Sequence, residues 1–207
     1  TEEDILNWVE GSYEYDYGED TVRVADLLDR RAQHNYYRYE NEVDDYRQDH
    51  YQVHLDQTFG DWNFGGVFYA TLGAGFYEQF RQGDDLSDYG LAPLVMGTDT
   101  TFATDLVRRR WLDNTLLGTS WTVSRSTERL SQVYGVSRSF YSGDHFGELI
   151  WMDFGAGAEP GDEYYRSLGE KTDLSAFGKW SGQVSDFRWH GEIQARQVLY
   201  QTSGRDN

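Results

Sequence analysis

The 207 residues carry 36 acidic against 18 basic side chains, a formal net charge of −18. That excludes a nucleic-acid binder, which needs a basic face to displace counterions. With no Cys there is no disulfide framework and no thiolate chemistry. Only 2 Pro stand against 22 Gly and 16% aromatics, which suits long paired strands, since Pro cannot donate to a ladder.

Residues 1–48 are polar, acidic and rich in Tyr (Tyr13, Tyr15, Tyr17, Tyr36, Tyr37, Tyr39, Tyr46). Asp20-Thr21 is placed to cap a short helix over 22–32, where Val24, Leu27, Leu28 and Arg31 fall at helical spacing. The stretch is expected to be one long ordered loop; a mobile chain end is the plain alternative.

Period-two alternation begins near residue 49 and recurs in six segments. These group as three pairs: 50–59 with 61–80, 105–124 with 129–141, and 172–183 with 186–200. Short turns close each pair at Gly60-Asp61, 125–128 and Val184-Ser185. Long connections, 81–104 and 142–171, join one pair to the next. Tight turns at one end and long loops at the other are the rhythm of an outer-membrane barrel.

One phase of the alternation is apolar: Tyr51, Val53, Leu55, Phe59; Trp62, Phe64, Phe68, Leu72, Phe76; Trp111, Leu117, Trp121, Val123. The other phase holds Gly, small residues and charge, including Asp56, Lys179, Arg188, Glu192 and Arg196. A soluble barrel turns the apolar phase inward and a membrane barrel turns it to lipid. Phe59, Trp62, Phe64, Trp121, Trp180, Phe187 and Trp189 gather near the short turns, as in an interfacial girdle. Cross-strand aromatic pairing in a soluble hairpin would use the same residues.

Several runs resemble the barrel of TonB-dependent outer-membrane receptors of the Bacteroidetes type. They are Tyr46-Arg47-Gln48-Asp49-His50-Tyr51-Gln52, Trp62-Asn63, Gly75-Phe76-Tyr77-Glu78-Gln79-Phe80, the run 105–114 around Arg108-Arg109-Arg110-Trp111, and the run 143–151. The likeness covers about 46–200. It implies an all-β, antiparallel up-and-down meander of about six long strands. Such a meander is a section of a transmembrane β-barrel of about 22 strands with long extracellular loops. Residues 49–202 would be barrel strands and loops, 203–207 the end of a fragment, and no plug domain is present. The implied function is import of a scarce nutrient across the bacterial outer membrane, above all a ferric siderophore. A glycan is the alternative cargo. The implied partners are outer-membrane lipid, the TonB complex acting through the missing plug, and an extracellular small ligand.

Two groups stand out as site candidates. Arg108, Arg109 and Arg110 sit at the loop end of a strand, and a guanidinium cluster can hold an anionic ligand by paired hydrogen bonds; pairing with nearby acids is the plain reading. Tyr36 and Tyr37 are candidate aromatic contacts for a ligand. The run Gly143-Asp144-His145-Phe146-Gly147-Glu148 is expected at the start of a long loop, where it would brace neighbouring strands. It holds one His with two acids, too little to predict a metal. No cofactor is expected. No nucleophile elbow, P-loop or dinucleotide fingerprint occurs, so no enzymatic activity is expected. Two rivals from other classes are a soluble all-β binding module and a glycoside-active enzyme built on paired carboxylates.

Overall fold

A computed structural model describes residues 11, 20–29, 39–154 and 157–205. The chain divides into two compact units, 1–40 and 41–207.

In the first unit, helix α1 spans Thr21–Asp29. Its start is set by Asp20, whose side-chain Oδ1 accepts from the Arg23 N–H at 3.0 Å, the reach of an N-cap. Val24 and Leu27 are buried and Leu28 packs against them, the same positions that the helical spacing picks out. Arg31, Ala32, Tyr36 and Tyr37 lie outside the described residues.

The second unit is one antiparallel sheet. Its strands are β1 (Val43–Phe59), β2 (Trp62–Asp85), β5 (Ala103–Ser126), β6 (Leu130–Met152), β7 (Glu163–Val184) and β8 (Phe187–Arg205). Each lies beside its sequence neighbour, β1-β2-β5-β6-β7-β8, with both outer edges open. A small hairpin of β3 (Leu94–Met96) and β4 (Asp99–Thr101) sits in the β2–β5 connection. The all-β meander of six long strands expected from the sequence is therefore present.

The strands outrun their expected ends. β1 begins at Val43, inside the stretch read as loop. β2 continues to Asp85 before a 3-10 turn at Leu86–Tyr89. The largest correction concerns 142–171: β6 runs to Met152 and β7 starts at Glu163, so most of that expected loop is paired strand. Glycines and charges there read as loop because they interrupt the apolar phase. They are tolerated in the strand because neighbouring rings occupy the space: a Cβ on Gly147 would lie 2.4 Å from the rings of Tyr164 and Tyr165.

The short turns stay close to expectation. Gly60, at φ 58, opens the first. The second covers 127–129. The third is Ser185-Asp186, one residue later than expected, because Val184 pairs with Phe187. Ser185 adopts φ 54, a positive value that a primed hairpin turn demands at its first central position.

Alternation splits the sheet into two faces. Among the described residues of this unit, no helix or second sheet packs over either face; contacts run between neighbouring strands and to the 3-10 turn. The apolar face is bare: Phe68 is 47% exposed, Leu117 47% and Leu199 59%. The buried core lies instead at the loop end, where Tyr89, Leu106, Leu149 and Tyr164 meet, with Leu91, Met152 and Tyr165 packed on them.

The register carries a steady offset. The row of paired residues through Phe59 and Trp62 borders the first turn. Across the sheet it meets Arg125 and Gln132, which stand two residues further from the centre of the second turn, then Trp180 and Gly191, two further again from the centre of the third. One residue of offset per strand is a climb of about 3.3 Å for each sideways step of about 4.8 Å, a strand tilt of about 35°.

Candidate functional site

The polar face forms its main cavity beyond the apolar band, toward the loops. Two adjacent cross-strand rows build it. One row is Asp44–Tyr77–Arg110–Gly147–Tyr165 and the other is Tyr46–Gly75–Leu112–His145–Ser167. All but Gly147 and Ser167 line a cavity of about 460 Å³.

Gly147 makes room for this arrangement, because the Tyr165 ring lies where a side chain on β6 would project. Arg110 Nε donates to the Tyr165 hydroxyl at 3.1 Å. Its guanidinium lies 5.2 Å from the Tyr165 ring centre and 5.9 Å from that of Tyr77, within cation–π range. The Tyr165 hydrogen bond raises the Arg110 pKa, with burial opposing and the tyrosine ring charges adding to it, so the cation is permanent. Arg110 has no carboxylate partner among the described residues. On the opposite wall the Tyr46 hydroxyl accepts from Asn114 Nδ2 at 2.7 Å and Gln48 Nε2 at 3.0 Å. A fixed cation between rings, with His145 beside it, suits an anionic ligand that also presents a flat surface.

The three arginines do not form one cluster. Alternation sends Arg109 to the apolar-phase face, where its Nε donates to Glu78 Oε2 at 2.7 Å and its guanidinium stacks 4.3 Å over the Phe76 ring. Arg108 shares a face with Arg110 but turns into the loop-end core. It donates to the Tyr89 hydroxyl at 3.0 Å and to Gln79 Oε1 at 3.2 Å. Tyr89 in turn donates to Asp84 Oδ2 at 2.6 Å. Burial and that bond push the Tyr89 pKa up. Burial would also raise Asp84, but hydrogen bonds from Arg81 and Tyr89 hold it below the usual carboxylate value. Burial pushes Tyr164, in the same core, up to about 12.

The run 143–148 lies within β6, not at a loop's start. Asp144 pairs with Arg166 on β7, and Glu148 accepts from Trp111 Nε1 on β5 at 2.8 Å. Phe146 stacks on Trp111 at 5.7 Å between ring centres and carries Arg166 over its other side at 4.3 Å. The motif thus ties three strands together, while His145 alone points to the cavity. Among the described residues no three His, Asp or Glu side chains converge as metal ligands would.

Sequence reading missed Asp44, Tyr46, Tyr77 and Tyr165 as cavity residues. The signal was present as in-phase tyrosines near the loop ends of β1, β2 and β7, but the register that unites them is not written in spacing. Compared with the models of known protein families and with curated protein sequences, the chain matches none.

Proposed function

We propose that this chain forms part of the wall and ligand-contacting crown of an outer-membrane β-barrel transporter of the TonB-dependent type. The observation that carries this reading is a level apolar band. Set the three short turns at one height. Counted to the turn centres, Leu72, Leu117, Phe140 and Leu174 then all stand at the same remove from their own turns, although only Leu117 and Phe140 share a paired row. The next outward positions on three of these strands are Thr115, Ser142 and Thr172, followed by Asp113, Asp144 and Glu170. From Trp62 to Leu72 the climb is about 33 Å along the strand, or about 27 Å along the axis at a 35° tilt. A membrane barrel needs an apolar belt of about 25 Å.

A soluble module offers no reason for β5, β6 and β7 to turn from apolar to hydroxylated and then acidic residues along one tilted line, and it would cover the apolar face with a second layer. The open edges of β1 and β8 call for further strands, which a barrel of about 22 strands would supply. That no helix among the described residues is long and apolar enough to span a membrane has no bearing on a strand-built wall.

In this reading the apolar face meets lipid, the polar face lines the lumen, and the short turns face the periplasm. The cavity at Arg110 and the loops capture the ligand. The permanent cation among Tyr46, Tyr77 and Tyr165 favours an anionic, partly flat cargo such as a ferric siderophore. The three rings themselves also favour a second reading, a glycan stacked on them. Energy coupling through TonB would act on a plug supplied outside this wall.

The membrane reading is tested with Phe68→Arg against Gln52→Arg, on opposite faces of the band. Charge at Phe68, near mid-belt, costs about 2–4 kcal/mol in lipid, so that variant should drop out of the outer-membrane fraction while the lumen variant assembles. Equal assembly of both would sink the orientation. Uptake of labelled ferric chelates against oligosaccharides by cells carrying Arg110→Gln then separates the two cargoes.

A further inference from the structure

Arg138 breaks the apolar face. It is exposed, and its row neighbours on that face are Phe68, Thr119 and Leu174. Val136 and Phe140, also exposed, flank it along β6. Among the described residues it makes no hydrogen bond and no ion pair. Other arginines that point to this face are satisfied: Arg47 by Asp49, Arg109 by Glu78, Arg125 by Asp61 and Arg166 by Asp144. An unpaired guanidinium in a chain of net charge −18 is not explained by a shortage of carboxylates.

Its height explains it. Arg138 stands one in-phase step below Phe140, at the upper margin of the belt and about 5 Å beneath its edge. A guanidinium on a three-carbon stem reaches that far to the polar boundary. Carboxylates cannot follow it there, because the surrounding positions are apolar or hydroxylated. A phosphate from the lipid side can, and the guanidinium fork matches it bidentately.

We propose that Arg138 is a lipid-phosphate site, holding the headgroup phosphate of a lipid in the leaflet on the long-loop side. Thr119, paired with it on β5, turns its own hydroxyl to the Val67 carbonyl of β2 at 2.9 Å, so the guanidinium is left to the lipid side. This rests on the membrane reading above, and the experiment keeps the two apart.

The full-length protein carrying this chain is purified in detergent, and binding of diphosphoryl lipid A and of its dephosphorylated form is measured by native mass spectrometry. The protein is also floated with phosphatidylcholine vesicles. The native protein should prefer the phosphorylated lipid. Arg138→Gln should weaken that lipid about tenfold, the scale of one charge-assisted contact, and leave the dephosphorylated form unchanged. Arg138→Lys should fall between, keeping charge without the fork. Arg138→Leu, which suits the belt, repeats the test if the Gln variant does not assemble. A protein that floats with the vesicles but binds both lipids alike, with or without Arg138, overturns the phosphate site alone. One that does not float overturns the membrane reading, and this site with it.

Discussion

Glu78 and Arg109 face each other as directly paired residues of β2 and β5, joined at 2.7 Å. They are buried unequally: the Glu78 side chain is 5% exposed and that of Arg109 34%. Removing the two partners should therefore cost different amounts. Arg109→Met takes one charged partner from a carboxylate in a dry position and should cost about 3 kcal/mol. Glu78→Gln keeps the shape and leaves a half-exposed guanidinium that still stacks on Phe76, at about 1 kcal/mol. Urea midpoints of the two variants check the order; an equal loss would mean that burial is not the deciding factor.

Ser185 holds a positive φ without being glycine. The left-handed region costs an L-residue about 1–2 kcal/mol, part of which glycine returns as chain entropy in the unfolded state. Ser185→Gly should stabilise the β7–β8 hairpin by about 0.5–1 kcal/mol. Slower amide exchange at Val184 and Phe187 is the expected sign.

Asp84 has a folded pKa below its ordinary value. Its contribution is therefore complete above the unfolded pKa, near 4, and is lost as pH falls through the lower folded value. The 3-10 turn at Leu86–Tyr89 should loosen only in acid. Tyr89→Phe removes one of the bonds that hold the carboxylate ionised, so its pKa should rise and the acid transition should move to higher pH. Carboxyl carbon shifts followed through an acid titration measure this; an unmoved transition would assign the effect to Arg81 and Arg108.

Gly147 is the position where the cavity is most easily broken. A methyl there meets the Tyr164 and Tyr165 rings at 2.4 Å, and neither ring is free to swing, as Tyr164 is buried and Tyr165 holds Arg110. Gly147→Ala should cost about 1–3 kcal/mol by overpacking and, under the proposed function, weaken ligand uptake. Tyr165→Phe, which keeps the ring, should cost less than 1.5 kcal/mol but free the guanidinium, so the two variants separate packing from polarity.

Strand existence was legible because period two needs only the local order of residues. Tyr51, Val53 and Leu55, or Trp62, Phe64 and Phe68, announce a face by themselves. Strand ends were less so. Gly143 and Gly147 carry no side chain to show phase, and the room they leave is filled from β6 itself and from β7, far along the chain. The arginine run shows the same limit: three adjacent cations look like a cluster, yet adjacent strand residues point to opposite sides.

By itself the sequence determined the antiparallel meander, the two faces and the places of the tight turns, since alternation and turn chemistry act over a few residues. Only the tertiary structure decided the register. The one-residue offset per strand levels the apolar band and gathers Tyr46, Tyr77, Arg110, His145 and Tyr165 into one cavity. It also leaves Arg138 alone at the margin of the band. Register is a relation between strands, fixed by hydrogen bonds and side-chain fit across many residues of separation, so no single stretch of the chain contains it.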